Sequence, residues 1–378
     1  MFGIKVLHVV TLGGPNGEYG GPLRVARELC SEHSRRGGSA VLLFGIDSEV
    51  VPTSTGKFPE LAIRAAPLTK RYKISSLISV KIISQLITQI KQTDLVHIHF
   101  GRDLISILAS IIGKILNKPI VLQTHGMVVP DSRVFIRILD FLFVLPIMKL
   151  ADKKLSLSPD EVKKLLELGV SENVVIQPNG ISIPKVDFKE RREQIPRIVF
   201  CGRLFRTKGI DLFLEIVEKC HAENLQALFE VYGPDAGELP KIIQFIESNN
   251  SSQFLKYHGP LPPNLVQETL AKVDILLLPS NYDPYPMVVL EALSVGTRVV
   301  ISSVCGQSEI VKNFDSRFVP LDLTPESFYS SLKSILTEPI NSSERVRIME
   351  FCRENFGIAK LYGQIDMIYR ELMVSYLK

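Results

Sequence analysis

From Lys5 onward the chain alternates short β-rich runs with stretches whose apolar residues recur at helical spacing, and this alternation limits the fold more than any other feature. The candidate strands are IKVLHVV (4–10), AVLLFG (40–45), LVHIHF (95–100), PIVLQTH (119–125), KKLSLS (153–158) and NVVIQPN (173–179). Between them lie GPLRVARELCSEHSRRG, VKIISQLITQIKQT and LISILASIIGKIL, which carry the helical period. Strands that alternate with helices imply a parallel sheet covered on both faces. The pattern breaks across 180–195, where GISIPKVDFKERREQ is polar, charged and non-periodic. It restarts with RIVFCGR (197–203), ALFEVYG (227–233), DILLLPS (274–280) and RVVISS (298–303). We therefore expect an α/β chain of two Rossmann-like, doubly wound domains, 1–182 and 183–357, facing across a cleft. The last segment, IAKLYGQIDMIYRELMVSYL (358–377), reads as an amphipathic helix that packs back on the first domain, so that domain should also claim 358–378.

A length of 378 residues suits two domains, and 46% hydrophobic against 22% charged residues is enough to bury a core in each. Charge is spread unevenly. Residues 1–182 hold 22 Lys+Arg and 15 Asp+Glu, and the remainder holds 22 and 25. A basic half beside an acidic half suggests an anionic partner for the first, with solvated basic surface as the equal alternative. Five cysteines (30, 201, 220, 305, 352) are scattered with no C-x-x-C pair, which fits a reducing compartment and argues against a disulfide framework or zinc site. MFGIKVLHVV has an apolar run after Lys5 that is too short for a signal-peptide core and reads as a first strand. No uncharged apolar stretch of about 18 residues occurs. VFIRILDFLFVLPIMKL (134–150) is interrupted by Arg137, Asp140 and Pro146, and reads as an amphipathic helix, either core packing or a membrane-resting face.

Ligands of doubly wound sheets bind beyond the carboxyl ends of the strands, so candidate chemistry is sought there. After the first strand comes TLGGPNGEYGGPLRVARELC, whose glycines let backbone approach a bulky ligand and whose helix start offers amides to an anion. It has neither a G-x-G-x-x-G in register nor a G-x-x-x-x-G-K-[ST], so neither familiar nucleotide loop is supported, and a flexible surface loop is the alternative. His99 and His125 end two strands, and His125 is followed by Gly126, which places it to reach a ligand. Arg203 and Lys208 follow the strand at 197–203, where two cations suit a pyrophosphate.

SNYDPYPMVVLEALSVGTRVVIS, from 280, places Asp283 and Glu291 eight residues apart in an otherwise apolar stretch. Pro286 suits the first turn of a short helix stopped near Gly296, with the Met287 and Val288 amides facing an anion. Asp283 lies in the loop before that helix. Glu291 lies on it, about 6 Å beyond the first turn at 1.5 Å per residue. That step matches the one from a phosphate to its ribose. The two carboxylates would then bracket a diphosphate, Glu291 holding the nucleoside and Asp283 the group to be transferred. A loop acid and a helix acid in ion pairs are the plainer alternative.

With these residues in view the chain resembles the retaining glycosyltransferases of family four (group 1), which have the GT-B fold. The resemblance spans nearly the whole chain, through Gly20–Gly21, THG (124–126), PNGI (178–181), GRLFRTKG (202–209) and PSNYDPYPMVVLEALSVGTRVVIS (279–302). It implies a donor site mainly in the second domain, with Arg203 and Lys208 on the diphosphate, Glu291 on the ribose and the Met287 and Val288 amides on a phosphate. It also implies His125 and Asp283 as catalytic residues near the donor sugar and Gly20 and Gly21 near the diphosphate. Gly233, Tyr285 and Leu261, the last within HGPLPP (258–263), join the donor set, and His99 belongs to the acceptor side. The family motif is E-x7-E, and Asp283 is one methylene shorter than its first member.

The chain contains no D-x-D, so no metal and no cofactor are expected, in keeping with the family's metal independence. The cations and helix dipole would stabilise the leaving group instead. The implied reaction moves a hexosyl group from a UDP- or GDP-hexose to a glycan or lipid-linked acceptor in bacterial polysaccharide synthesis, by front-face displacement. The implied location is cytoplasmic, peripheral at the membrane face through the basic first domain and its LTKRYK segment (68–73), with no nucleic-acid partner. A nucleotide-sugar epimerase or hydrolase of the same fold and a non-catalytic sugar-nucleotide-binding subunit remain as alternatives.

Overall fold

The computed structural model describes residues 3–14, 20–51, 54, 56–69, 73–186, 195–248 and 251–376. Parts of five sequence features therefore lie outside the described residues: 1–2 of MFGIKVLHVV, 15–19 of the glycine-rich loop, 70–72 of LTKRYK, 187–194 of the charged segment and 377–378 of the last segment. The chain divides into two compact units, Met1–Gly180 with Ile358–Lys378, and Ile181–Gly357.

Unit 1 runs β1 (Lys5–Leu12), α1 (Gly20–Arg35), β2 (Ser39–Ile46), β3 (Glu60–Arg64), β4 (Ala66–Pro67), β5 (Leu77–Ile78), α2 (Val80–Gln92), β6 (Leu95–His99), α3 (Leu104–Ile115), β7 (Ile120–Gln123), α4 (Val134–Leu139), α5 (Leu145–Leu150), β8 (Lys153–Ser156), α6 (Pro159–Glu167) and β9 (Val174–Ile176). Seven strands form one sheet in the order β3-β2-β1-β6-β7-β8-β9, with every pairing parallel. The central strands are buried end to end, as a sheet covered on both faces requires. Helix starts are set locally. Ser79, Asp103 and Ser158 cap α2, α3 and α6 by accepting from the Ile82, Ser106 and Glu161 amides.

Unit 2 runs β10 (Arg197–Cys201), α7 (Ile210–Ala222), β11 (Leu228–Tyr232), α8 (Leu239–Ser248), β12 (Leu255–Gly259), α9 (Val266–Leu270), β13 (Ile275–Leu278), α10 (Met287–Ser294), β14 (Arg298–Ile301), α11 (Ser308–Phe314), α12 (Pro325–Ile335) and α13 (Ser342–Phe356). Its five strands are parallel in the order β12-β11-β10-β13-β14. α14 (Ile358–Tyr376) then belongs to unit 1, where it buries Tyr362, Ile365, Ile368, Tyr369 and Leu372 and contacts α1.

The two sheets share one topology. In each, strand order reverses beside the first strand, between β1 and β6 in unit 1 and between β10 and β13 in unit 2. Connections leaving a reversal point diverge to opposite faces and open a crevice at the strands' carboxyl ends, where ligands of such sheets sit. Strand β12 follows no pattern recognised from sequence. Its alternating exposure, with Leu255 buried and Lys256 and His258 exposed, is that of an edge strand.

Candidate functional site

Unit 2 carries the denser constellation, built around the β10/β13 reversal. After β10 the chain turns through Gly202 and Arg203 into a short 3-10 turn, Arg206–Lys208, and Gly209 opens α7 in the left-handed region at φ 71°. A Cβ on Gly209 would lie 1.9 Å from the Pro279 carbonyl oxygen, so only glycine lets this loop close on the end of β13. The Asn281 and Tyr282 amides donate to the Thr207 carbonyl at 2.9 and 3.2 Å. That union brings Lys208 onto Asp283, which its ammonium engages directly. Asp283 is 7% exposed and also bridges to Cys305 on the loop after β14. The Cys305 thiol is pushed up to about 12 by burial first and then by Asp283.

α10 starts beside this pair. Pro286 occupies its N-cap at φ −65°, and the helix begins at Met287 and Val288 with no side-chain cap on its first amides. Gln307 donates to the Pro286 carbonyl at 3.0 Å and fixes the entry to the helix. Glu291 is 8% exposed one turn on. Its charge adds to the burial that raises the Cys201 thiol to about 12, which ties it electrostatically to the end of β10. The Ser280 hydroxyl just after β13 is buried with no hydrogen-bond partner among the described residues. Arg203 is half-buried with its guanidinium 5.4 Å from the Phe205 ring. The helix runs to Ser294, and Gly296 follows at φ 73°.

Other residues singled out from sequence have a plain structural setting as well. Gly233 ends β11 at φ 151°, its Cβ position 1.8 Å from the Gly202 carbonyl oxygen, and its own carbonyl accepts from the Tyr257 hydroxyl at 2.9 Å. Tyr285 is buried, which pushes its phenol well up. Leu261 is half-buried just beyond β12.

In unit 1, Gly20 and Gly21 open α1, and a Cβ at Gly21 would meet nothing within 4 Å. His125 follows β7 at φ 52°, a left-handed conformation uncommon for a non-glycine residue, and Gly126 follows at φ 71°. Glu161 holds this turn. It is buried and accepts from the Thr124 hydroxyl and the Gly126 amide, each at 2.5 Å, and from the Leu157 amide at 2.6 Å. Sequence reasoning missed it. The signal was the Ser-Pro-Asp-Glu start of α6, which reads as a capping box. Ser158 does cap the Glu161 amide, but the carboxylate turns to the histidine loop.

Behind His125 lies a line of imidazoles. His125 Nε2 and His99 Nδ1 share a hydrogen bond of 2.7 Å, and His99 Nε2 and His8 Nδ1 one of 3.2 Å. His97, paired in register with His8, bonds the Tyr369 hydroxyl of α14 at 2.6 Å. Burial keeps all four rings neutral, with His97 and His125 each lowered to about 3 and His8 and His99 well below the usual value. The ring nitrogens of His8, His97 and His99 lie within 4.8 Å of one another. Neutral imidazoles at that spacing could hold a metal ion. The rings are stacked, at 26° between His8 and His97 and 11° between His97 and His99, so their lone pairs run side by side instead of converging on one point.

Two family models match this chain. The model described as Glycosyltransferase Family 4 matches residues 19–184, and that described as Glycosyl transferases group 1 matches residues 183–353. Glycogen synthase of Mycobacterium tuberculosis is 24% identical over 190 residues, 50% of this chain and 45% of that protein. The GPI3 subunit of phosphatidylinositol N-acetylglucosaminyltransferase from Saccharomyces cerevisiae is 26% identical over 223 residues, 58% of this chain and 46% of the subunit. The chain thus spans about half the length of these curated relatives. Among solved structures, Anabaena HepE in complex with UDP-glucose superposes with a TM-score of 0.73 over 97% of this chain and 100% of that one at 15% identity, which shows a shared GT-B fold.

Proposed function

The chain belongs to the group 1 glycosyltransferases, and from that premise we propose that it moves a hexosyl group from a nucleoside-diphosphate sugar to a glycan or lipid-linked acceptor, with retention of configuration. One observation carries the donor assignment: Lys208, Asp283 and the side-chain-uncapped start of α10 meet at the strand reversal of unit 2. Arg203, Lys208 and the Met287 and Val288 amides neutralise the diphosphate, and Glu291 accepts from the ribose hydroxyls. Asp283 holds the sugar hydroxyls, and Tyr285, Gly233 and Leu261 line the donor side. The HepE relative was solved with UDP-glucose, which supports a UDP-hexose as the first donor to try.

In the reaction proposed, the acceptor hydroxyl attacks the anomeric carbon on the face from which the diphosphate leaves. The bond from that carbon to the diphosphate oxygen breaks, the diphosphate takes the electron pair, and the hydroxyl proton passes to it. Arginine, lysine and helix amides stabilise the leaving charge without a metal. On unit 1, His125 carries a neutral imidazole at the carboxyl end of β7, steadied by Glu161 on its loop and by His99 behind its ring. Unit 1 takes the acceptor, but not through His99, which is 1% exposed with both ring nitrogens bonded to His125 and His8 and so serves to hold His125. We place the reaction on the cytoplasmic side of a bacterial membrane, in polysaccharide assembly.

Calorimetric titration with a panel of nucleotide sugars tests this reading, with Glu291→Ala as control. Loss of a charge-assisted hydrogen-bond pair costs about 1.5–3 kcal/mol, so the variant should bind its best donor roughly ten- to a hundredfold more weakly. Absence of binding by any nucleotide sugar or nucleoside diphosphate to the wild type would end the donor assignment.

A further inference from the structure

The segment 134–150 of unit 1 is apolar on two faces and buries only one. α4, α5 and the π turn Asp140–Val144 between them bury Ile136, Val144, Ile147 and Met148. Outward they present Val134, Phe135, Ile138, Phe141, Leu142, Phe143 and Leu150, with Phe141 73% exposed. Large hydrophobics are ordinarily scattered singly over a protein surface, and seven within one 17-residue segment mark a surface that something covers.

The charges around these side chains are one-sided. Asp140 is held by Arg102 through two contacts of 2.7 and 2.8 Å, and Asp131 by Arg133 at 2.6 Å. Arg137 and Lys149 are the exposed charges that remain on the segment. No helix among the described residues is long and apolar enough to cross a membrane, so contact with a bilayer through this segment would be interfacial.

We propose that this face rests on an anionic lipid surface, with Phe135, Phe141 and Leu142 entering the boundary between headgroups and acyl chains and Arg137 and Lys149 meeting the phosphates. Apolar burial and electrostatic attraction then act together, as they do for helices that lie in a membrane interface. A second copy of the chain is the competing occupant. In a two-fold contact both copies would bring the same two cations to the interface, whereas anionic headgroups answer them directly. The proposal deepens the acceptor side of the function given above, since a bilayer is where a lipid-linked acceptor is met.

Co-sedimentation of the full chain with vesicles tests it, using phosphatidylcholine alone and phosphatidylcholine mixed with phosphatidylglycerol. The wild type should pellet with the mixed vesicles and be released in part by high salt. Phe141→Ser with Leu142→Ser should weaken binding at least about tenfold, and Arg137→Glu with Lys149→Glu should abolish the preference for the anionic vesicles. Both variants change exposed residues and should keep the wild-type donor titration, so failure here and failure of the donor reading are told apart. The proposal is overturned if the wild type stays in the supernatant, or if the serine variant pellets as well as the wild type. A concentration-dependent dimer that the serine variant dissolves would overturn it in favour of a second copy.

Discussion

His97 sits wholly inside unit 1, stacked on His8 and bonded to the Tyr369 hydroxyl. Its value of about 3 against an ordinary 6.5 has a consequence for stability. Between those values the unfolded chain takes up a proton that the folded ring refuses, so stability must fall as pH drops below about 6.5. His97 alone should remove roughly 2 kcal/mol between pH 6.5 and pH 5, and His8, His99 and His125 act in the same direction. Urea unfolding near pH 7 and near pH 5 measures this, and His97→Phe should flatten the dependence. A wild type equally stable at both would refute the neutral-ring assignment. Of these rings, His99 and His125 were visible in the sequence as strand ends. His8 and His97 were not, because their contact depends on β1 lying beside β6 across some ninety residues of chain.

Among elements, the loop from β10 to α7 shows how a glycine positions a charge. Gly209 is pressed against the Pro279 carbonyl, and that contact sets Lys208 beside Asp283. Gly209→Ala should cost about 2 kcal/mol or more and weaken donor binding along with it, because the side chain collides in a backbone region it disfavours. Gly363→Ala, in α14 where a Cβ would meet nothing within 4 Å, should be neutral or stabilising by up to about 1 kcal/mol. Paired melting curves and donor titrations decide the matter, and equal effects at the two sites would remove the special role of Gly209. The helix at 287–294 and its glycine stop were readable because proline and glycine act locally. The π turn inside 134–150 was not, since nothing in that apolar run says which of its two faces the core will take.

At the scale of the whole molecule, unit 1 is made from two distant pieces of chain. α14 supplies Tyr362, Ile365, Ile368, Tyr369 and Leu372 to its interior, and Tyr362 bonds His33 at 2.5 Å while Tyr369 bonds His97. Each such burial contributes about 1.5–3 kcal/mol, so their sum is comparable to the whole stability of a domain. A chain ending at Gly357 should therefore lose hydrogen-exchange protection in β1 and β6 while β13 and β14 keep theirs. Unchanged protection in β1 would mean that α14 is dispensable to unit 1.

Local chemistry made much of this protein readable in advance. Strand and helix periods foretold two parallel α/β sheets, and Arg203, Lys208, Asp283 and His125 were singled out only because they stand just past strands, where such sheets bind ligands. Those signals act over a few residues and survive in one dimension. Tertiary structure alone decided that Lys208 pairs with Asp283 and that Glu161 steadies the histidine turn. It also decided that three buried imidazoles line up behind a half-buried fourth and that the second apolar face of 134–150 stays open. Each of these depends on which strands become neighbours and on which surfaces run out of partners, and both are properties of the packed chain.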